Sequence, residues 1–161
     1  MLCYFLNNKF EKLMMKLIRT NSENQDFIQL VKMLDEYLAY TDGEDHAFYD
    51  QFNKIDMLKH CVVLYEEENP VGCGAIKPYD HDSAELKRMF VIPEFRGKGY
   101  ASQILSELEN WAKELGFESV ILETGIKQLE AIKLYGKTYE LTENYGQYEG
   151  VKNSLCFKKQ L

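Results

Sequence analysis

Arg96-Gly97-Lys98-Gly99-Tyr100-Ala101 separates an apolar, strand-like run, Leu86 to Ile92, from a strongly periodic helical stretch, Ala101 to Leu115. Two glycines let the backbone turn sharply, through conformations that a Cβ would resist. The turn feeds a helix N-terminus, where the first amides have no partner inside the helix. Those amides, the helix dipole and the charges of Arg96 and Lys98 suit a phosphate or pyrophosphate. The partner implied is a phosphate-bearing cofactor held by main chain.

The flanks place this loop in a fold. A strand is expected at Lys16–Arg19. Ser22 and Gln25 have capping-box spacing, and Phe27, Leu30, Val31, Leu34 and Leu38 then recur at helical spacing as far as Thr41-Asp42-Gly43. Ala47–Phe52 reads as a short second helix. Cys61–Tyr65 is a strand, and Val71–Ile76 returns as its hairpin partner. Ala84–Ile92 is the third strand of the meander, stopped by Pro93. After the loop, Ala101, Ile104, Leu105, Leu108, Trp111, Ala112 and Leu115 form one apolar stripe, with Gly116 at the C′ position. Ser119–Thr124 is the strand that this helix joins in a right-handed crossover. A shorter helix over Gln128–Lys137 and two strands near Glu140–Leu141 and Ser154–Phe157 complete the chain. An antiparallel meander feeding one parallel crossover gives an α/β (α+β) three-layer domain.

The 161 residues make one domain with room for a proper core. A net charge of −7 argues against a nucleic-acid binder, which needs a basic face, and leans towards a cationic substrate. No apolar run approaches the length that spans a bilayer. Cys3, Cys61, Cys73 and Cys156 form neither a CxxC pair nor a zinc spacing, so reduced thiols and a cytoplasmic location are expected. Asp80-His81-Asp82 is read as a polar turn, and no metal is expected. Residues 1–14 are an N-terminal extension that makes a poor signal peptide, with Met14 or Met15 as alternative starts of translation. The domain proper is residues 15–161.

Three readings of the glycine loop compete. A Walker A loop fails, because Lys98 is followed by Gly99 and no upstream glycine has the right offset. A dinucleotide fingerprint finds its first two glycines in Gly97-Lys98-Gly99, but Ser102 stands in place of the third. Glu123 lies roughly where a ribose-binding acid would, yet only one βαβ unit exists and that fold needs two halves. The third reading takes in the flanks. Glu85-Leu86-Lys87-Arg88-Met89-Phe90-Val91-Ile92-Pro93-Glu94-Phe95 followed by the loop resembles the central motif of the GNAT superfamily of acetyl-CoA-dependent N-acetyltransferases. Arg96 to Ala101 matches every fixed position of its [QR]-x-x-G-x-[GA] pattern. Ala131-Ile132-Lys133-Leu134-Tyr135 is similar to the family's A-x-x-L-Y helix.

The resemblance implies a GNAT-like mixed sheet of six to seven strands with helices on both faces. It also implies acetyl-CoA as co-substrate. Amides from Gly97 to Ser102, within the segment Arg96, Gly97, Lys98, Gly99, Tyr100, Ala101 and Ser102, would hold the pyrophosphate. Met89, Phe90 and Val91 would pair with the pantetheine amides like an added strand and polarise the thioester carbonyl. Glu85 would accept the acceptor's proton through a water, with Glu123 as a competing base. Tyr135 would protonate the departing thiolate, and Gln128 would contact the cofactor. Plainer readings stay beside these: Glu85 facing solvent, Tyr135 as a core aromatic, Gln128 only starting a helix, and Arg88 in a surface ion pair rather than on an acidic acceptor. Tyr145 and Tyr148 either line the acceptor pocket or cover the sheet edge. One departure is that Gly136-Lys137-Thr138-Tyr139 lacks the glycine that usually ends the family's fourth helix. That helix must therefore stop by other means.

The activity implied is acetyl transfer to a primary amine of a small molecule by direct attack in a ternary complex. A non-catalytic acyl-CoA-binding domain and a nucleotide-binding oxidoreductase domain are the alternatives. A homodimer through the late strands is the assembly expected.

Overall fold

The computed structural model describes residues 14–161, so the expected extension, residues 1–14, lies outside the described residues except for Met14. The chain runs β1 (Met15–Thr20), α1 (Gln25–Asp42), α2 (His46–Asp50), β2 (His60–Glu66), β3 (Asn69–Pro78), β4 (Ser83–Val91), α3 (Tyr100–Glu114), β5 (Ser119–Gly125), α4 (Leu129–Tyr135), β6 (Glu140–Thr142) and β7 (Ser154–Gln160). All seven strands form one sheet in the order β1-β2-β3-β4-β5-β7-β6. It is antiparallel except for β4 and β5, which α3 joins in parallel. This is the three-layer mixed sheet expected.

Helix α1 starts differently from expectation. Asn24, not Ser22, is the N-cap, and its side chain accepts from the Phe27 amide at 2.9 Å. Asn21 holds the Glu23 amide at 2.9 Å, so two successive Asx side chains set the entry and the Ser22–Gln25 pair goes unused. The buried residues of α1 (Phe27, Leu30, Val31, Leu34, Leu38) cover one face of the sheet with Cys61, Val63, Cys73, Ala75 and Phe90. On the other face α3 and α4 close over Val62, Ile76, Leu86, Val120, Leu122 and Phe157. Strand alternation decides this division, since neighbours such as Leu122 and Glu123 must point opposite ways.

The feature that makes a site is a failure of pairing. β4 and β5 are in register only at Ser83↔Ser119, Ala84↔Val120 and Glu85↔Ile121. At that closed end the Ser83 and Ser119 hydroxyls lie 3.1 Å apart. From Leu86 onward the strands diverge. The β3–β4 register also shifts between Cys73 and Ala75, and Arg88 there adopts φ 59°. This is a β-bulge, which bends its strand and adds local twist. Gly74 lies opposite it, where a Cβ would come within 2.5 Å of the Met89 sulfur and 2.8 Å of Leu108. Only glycine lets the bulge and α3 share that space.

Helix α4 ends without a left-handed residue. Gly136 has φ −60°, and the Thr138 and Tyr139 amides both reach back to the Tyr135 carbonyl, at 3.1 and 2.9 Å. An extra tight turn thus replaces the missing cap glycine and buries Tyr139, whose hydroxyl donates to Glu109 at 2.9 Å. Asp80-His81-Asp82 is a polar turn, in which the Asp80 carboxylate accepts the Asp82 and Ser83 amides at 2.9 and 2.7 Å.

Candidate active site

The divergence of β4 from β5 opens a cleft of about 510 Å³ that runs to the N-terminus of α3. Its walls include Met89, Phe90, Val91, Arg96, Gly97, Gly99, Tyr100, Ala101, Ser102, Gln128 and Tyr135. Gly97 and Gly99 have φ 78° and 81°, and a Cβ built on either would meet open space. Their need for glycine is therefore conformational, and the space they leave faces the cleft. Gly99 is the N-cap of α3 and carries no side chain to hold the first-turn amides. A helix start in that state suits an anion.

The loop's two cations are already engaged. Lys98 pairs with Glu66 at 2.9 Å, and Tyr100 donates to the same carboxylate at 2.7 Å. Together they hold Glu66 below the usual carboxylate range. Lys98 does not line the cleft. The Arg96 Nε donates to the Val91 carbonyl at 3.0 Å, and its NH1 pairs with Glu130 on α4 at 2.9 Å. The guanidinium lies 5.0 Å over the Tyr37 ring.

A second cavity, about 100 Å³, adjoins the cleft. Leu34, Met89, Gln128, Ala131 and Tyr135 line both. Its other walls bring in Asp42, Tyr49, Lys87, Arg88, Glu123 and Tyr148. Glu123 has a buried Oε1 with no hydrogen-bond partner. Burial pushes its carboxyl up to about 7, against the pull of the Ser154 hydroxyl and Lys87. Burial likewise raises Asp42 and lowers Lys87. The Tyr135 hydroxyl is raised by burial and by the nearby Glu123 charge. Gln128 starts α4 and accepts from Thr124 Oγ1 at 3.3 Å, so it touches both a structural partner and the cleft.

Glu85 takes a different place. Its side chain is 3% exposed and sits between Lys77 at 3.5 Å and Lys87 at 3.7 Å, with the Tyr145 hydroxyl donating at 3.1 Å. It is not solvent-facing, and it lines neither cavity. Tyr148 does line the smaller cavity, and Tyr145 stacks edge-on against it and Tyr79. Arg88 overturns the expectation of a surface pair. Its side chain is 2% exposed, and it reaches Asp35 of α1 from inside the bulge. Sequence reasoning passed over Asp42, Tyr49 and Lys87. For Asp42 there was a signal, because an acid in the last turn of a helix opposes the dipole and needs another reason to be there. Tyr49 and Lys87 had none.

Comparison with known proteins gives the same answer as the geometry. The sequence pattern of the Acetyltransferase (GNAT) family matches residues 27–139. The chain belongs to the GNAT family. It is 35% identical over 139 residues to an IAA acetyltransferase of Azospirillum brasilense, an alignment that covers 83% of this chain and 90% of that one. With an uncharacterized N-acetyltransferase of Escherichia coli K12, YjgM, identity is 42% over 105 residues, covering 63% of this chain and 55% of the relative. Among solved structures, a GNAT family acetyltransferase of Elizabethkingia anophelis with acetyl-CoA bound superposes with a TM-score of 0.66 at 16% identity, over 91% of this chain and 98% of that one. This GNAT protein is thus an acyltransferase. A dinucleotide-binding fold is set aside by the sheet, whose only parallel pair among the described residues is β4 with β5. No helix among the described residues is long and apolar enough to cross a membrane.

Proposed function

We propose that this chain moves an acetyl group from acetyl-CoA to a primary amine of a small molecule, by direct attack with both substrates bound. The observation that carries this reading is the meeting of two unlike cavities at Tyr135: one walled by backbone and glycine, the other by buried acids and bases. The first fits acetyl-CoA. Amides of Gly97 to Ser102 face where a pyrophosphate would sit, and the edge of β4 at Met89, Phe90 and Val91 is free of β5. Bound there, acetyl-CoA supplies a thioester whose carbonyl carbon is attacked and whose sulfur leaves.

The chain's own groups manage the protons. An alkylamine with a pKa near 10.4 arrives mostly charged at pH 7. Glu123, in contact with the smaller cavity and poised near neutrality, takes the proton that the nitrogen must shed. We assign this role to Glu123 rather than Glu85, because Glu85 is already held by two lysines and a tyrosine away from the cavity. Tyr135 keeps its proton, since burial disfavours the phenolate, and it borders both cavities. It can give that proton to the departing sulfur, and the proton taken by Glu123 then restores the phenol. Free, buried Cys61, Cys73 and Cys156 support a cytoplasmic setting. The exposed edge strand β6 is the surface we assign to a homodimer, which light scattering would test. The decisive test of the activity is thiol release from acetyl-CoA across a panel of small amines. Turnover lost in Glu123→Gln with acetyl-CoA binding retained supports the reading; a Glu123→Gln protein as active as wild type overturns the assignment.

A further inference from the structure

Three buried polar side-chain atoms among the described residues have no hydrogen-bond partner: His46 Nδ1, Arg88 Nε and Glu123 Oε1. The last two belong to residues that line the same small cavity, and their needs are opposite. Glu123 Oε1 lacks a donor, and Arg88 Nε lacks an acceptor. Leaving either group unsatisfied is costly, so a ligand that displaces solvent from this cavity must bring both a donor and an acceptor.

The bulge explains how this came about. In a regular strand, Lys87 and Arg88 would point to opposite faces. With Arg88 at φ 59°, both line the one cavity. The β4 wall therefore carries two cations, while Glu123 of β5 and Asp42 at the end of α1 put two carboxyls on the walls that face it. The two walls attract each other but form no direct ion pair. Lys87 has Glu85 at 3.7 Å and Arg88 has Asp35, and among the described residues no ion pair joins either cation to Glu123 or Asp42.

We propose that the acceptor is a small free amino acid, its amine directed to Glu123 and its carboxylate to Arg88 and Lys87. This rests on the acetyl transfer proposed above and names the substrate class of that site. A plain amine would satisfy Glu123 and leave the Arg88 donor dry. A cavity of about 100 Å³, bordered by Tyr49, Leu38 and Tyr148, favours a short side chain.

The test compares L-alanine, L-alaninamide and ethylamine (alanine without its carboxylate) in the thiol-release assay, corrected for the fraction of free amine. Alanine should exceed ethylamine in kcat/KM by about 10- to 100-fold, mostly through KM. Arg88→Lys, checked for folding by thermal melting, should collapse that preference. Propionate, the carboxylate without the amine, should inhibit wild type competitively against alanine, and this arm does not depend on any variant folding. Ethylamine or alaninamide matching alanine, or propionate without effect, would overturn the inference while leaving the acetyltransferase reading intact. Absence of turnover with every amine, in protein that binds acetyl-CoA, would instead sink the reading beneath it.

Discussion

The cleft and the small cavity share a wall at Tyr135 but are built from different materials. The cleft is main chain: glycines in left-handed conformations, an uncapped helix start and the unpaired edge of β4. Arg96 at its mouth is engaged by Glu130. The small cavity is side chain: carboxyls and cations from β4, β5 and α1 with a tyrosine from a late turn, several of them displaced from their usual ionisation. Main-chain binding suits a ligand that never changes. Side-chain binding can be rewritten residue by residue to suit a different acceptor, with no change to the fold.

The largest effect expected falls on the side-chain half. Glu123→Gln should lower kcat/KM by about 10²–10⁴ with little change in acetyl-CoA affinity. Glu85→Gln should cost far less, and if it costs as much, the roles of the two acids must be exchanged. The pH profile sharpens the point. Glu123 accepts a proton only when ionised, so kcat/KM should rise with pH through a limb near 7, and the Gln variant should lose that limb. Stability moves the other way. A carboxyl raised to about 7 in the fold favours the folded state below its ordinary pKa of about 4.5, and that contribution drains away as pH climbs through 7. Melting of wild type should therefore fall relative to Glu123→Gln between about pH 5 and 8.

On the main-chain side, Gly99→Val forces a β-branched residue to φ 81° and puts its bulk into open cleft. Acetyl-CoA affinity should drop by about 100-fold by calorimetry in protein checked for folding, since the added bulk meets the ligand and the backbone there is strained for any side chain. Wild-type affinity in that variant would break the contrast between the halves. Tyr135→Phe tests the shared wall. It keeps the packed ring against Tyr139 and Phe157 but removes the hydroxyl. A fall in kcat of about tenfold or more, with KM for acetyl-CoA held, is expected. Full activity would make Tyr135 a packing residue.

The same contrast governs what could be read from the residues alone. The main-chain half was visible because φ-demanding glycines, a helix start and an apolar stripe all leave marks at fixed spacing, as Gly97, Gly99 and Ala101–Leu115 do. The side-chain half depends on which residues meet across the sheet, and spacing does not record that. Glu85 and Glu123 are alike in sequence, both acids on strands flanking the helix. Their surroundings separate them: two lysines and a tyrosine around one, a cavity beside the other. Arg88 could not be placed because a bulge is invisible until its partner strand is known, and the shift opposite Gly74 reverses the face to which it belongs.

One consequence concerns the way an anion arrives. Arg96 is occupied by Glu130 and Lys98 by Glu66, so the loop between β4 and α3 shows almost no net side-chain charge to the surroundings. Long-range attraction, which grows with net charge and fades with salt, has little to work on. Recognition is left to amides that act at contact distance. With little loop charge to screen and a net charge of −7 that repels anions, added salt should not slow diphosphate capture, and stray monovalent anions should gain little hold on the loop.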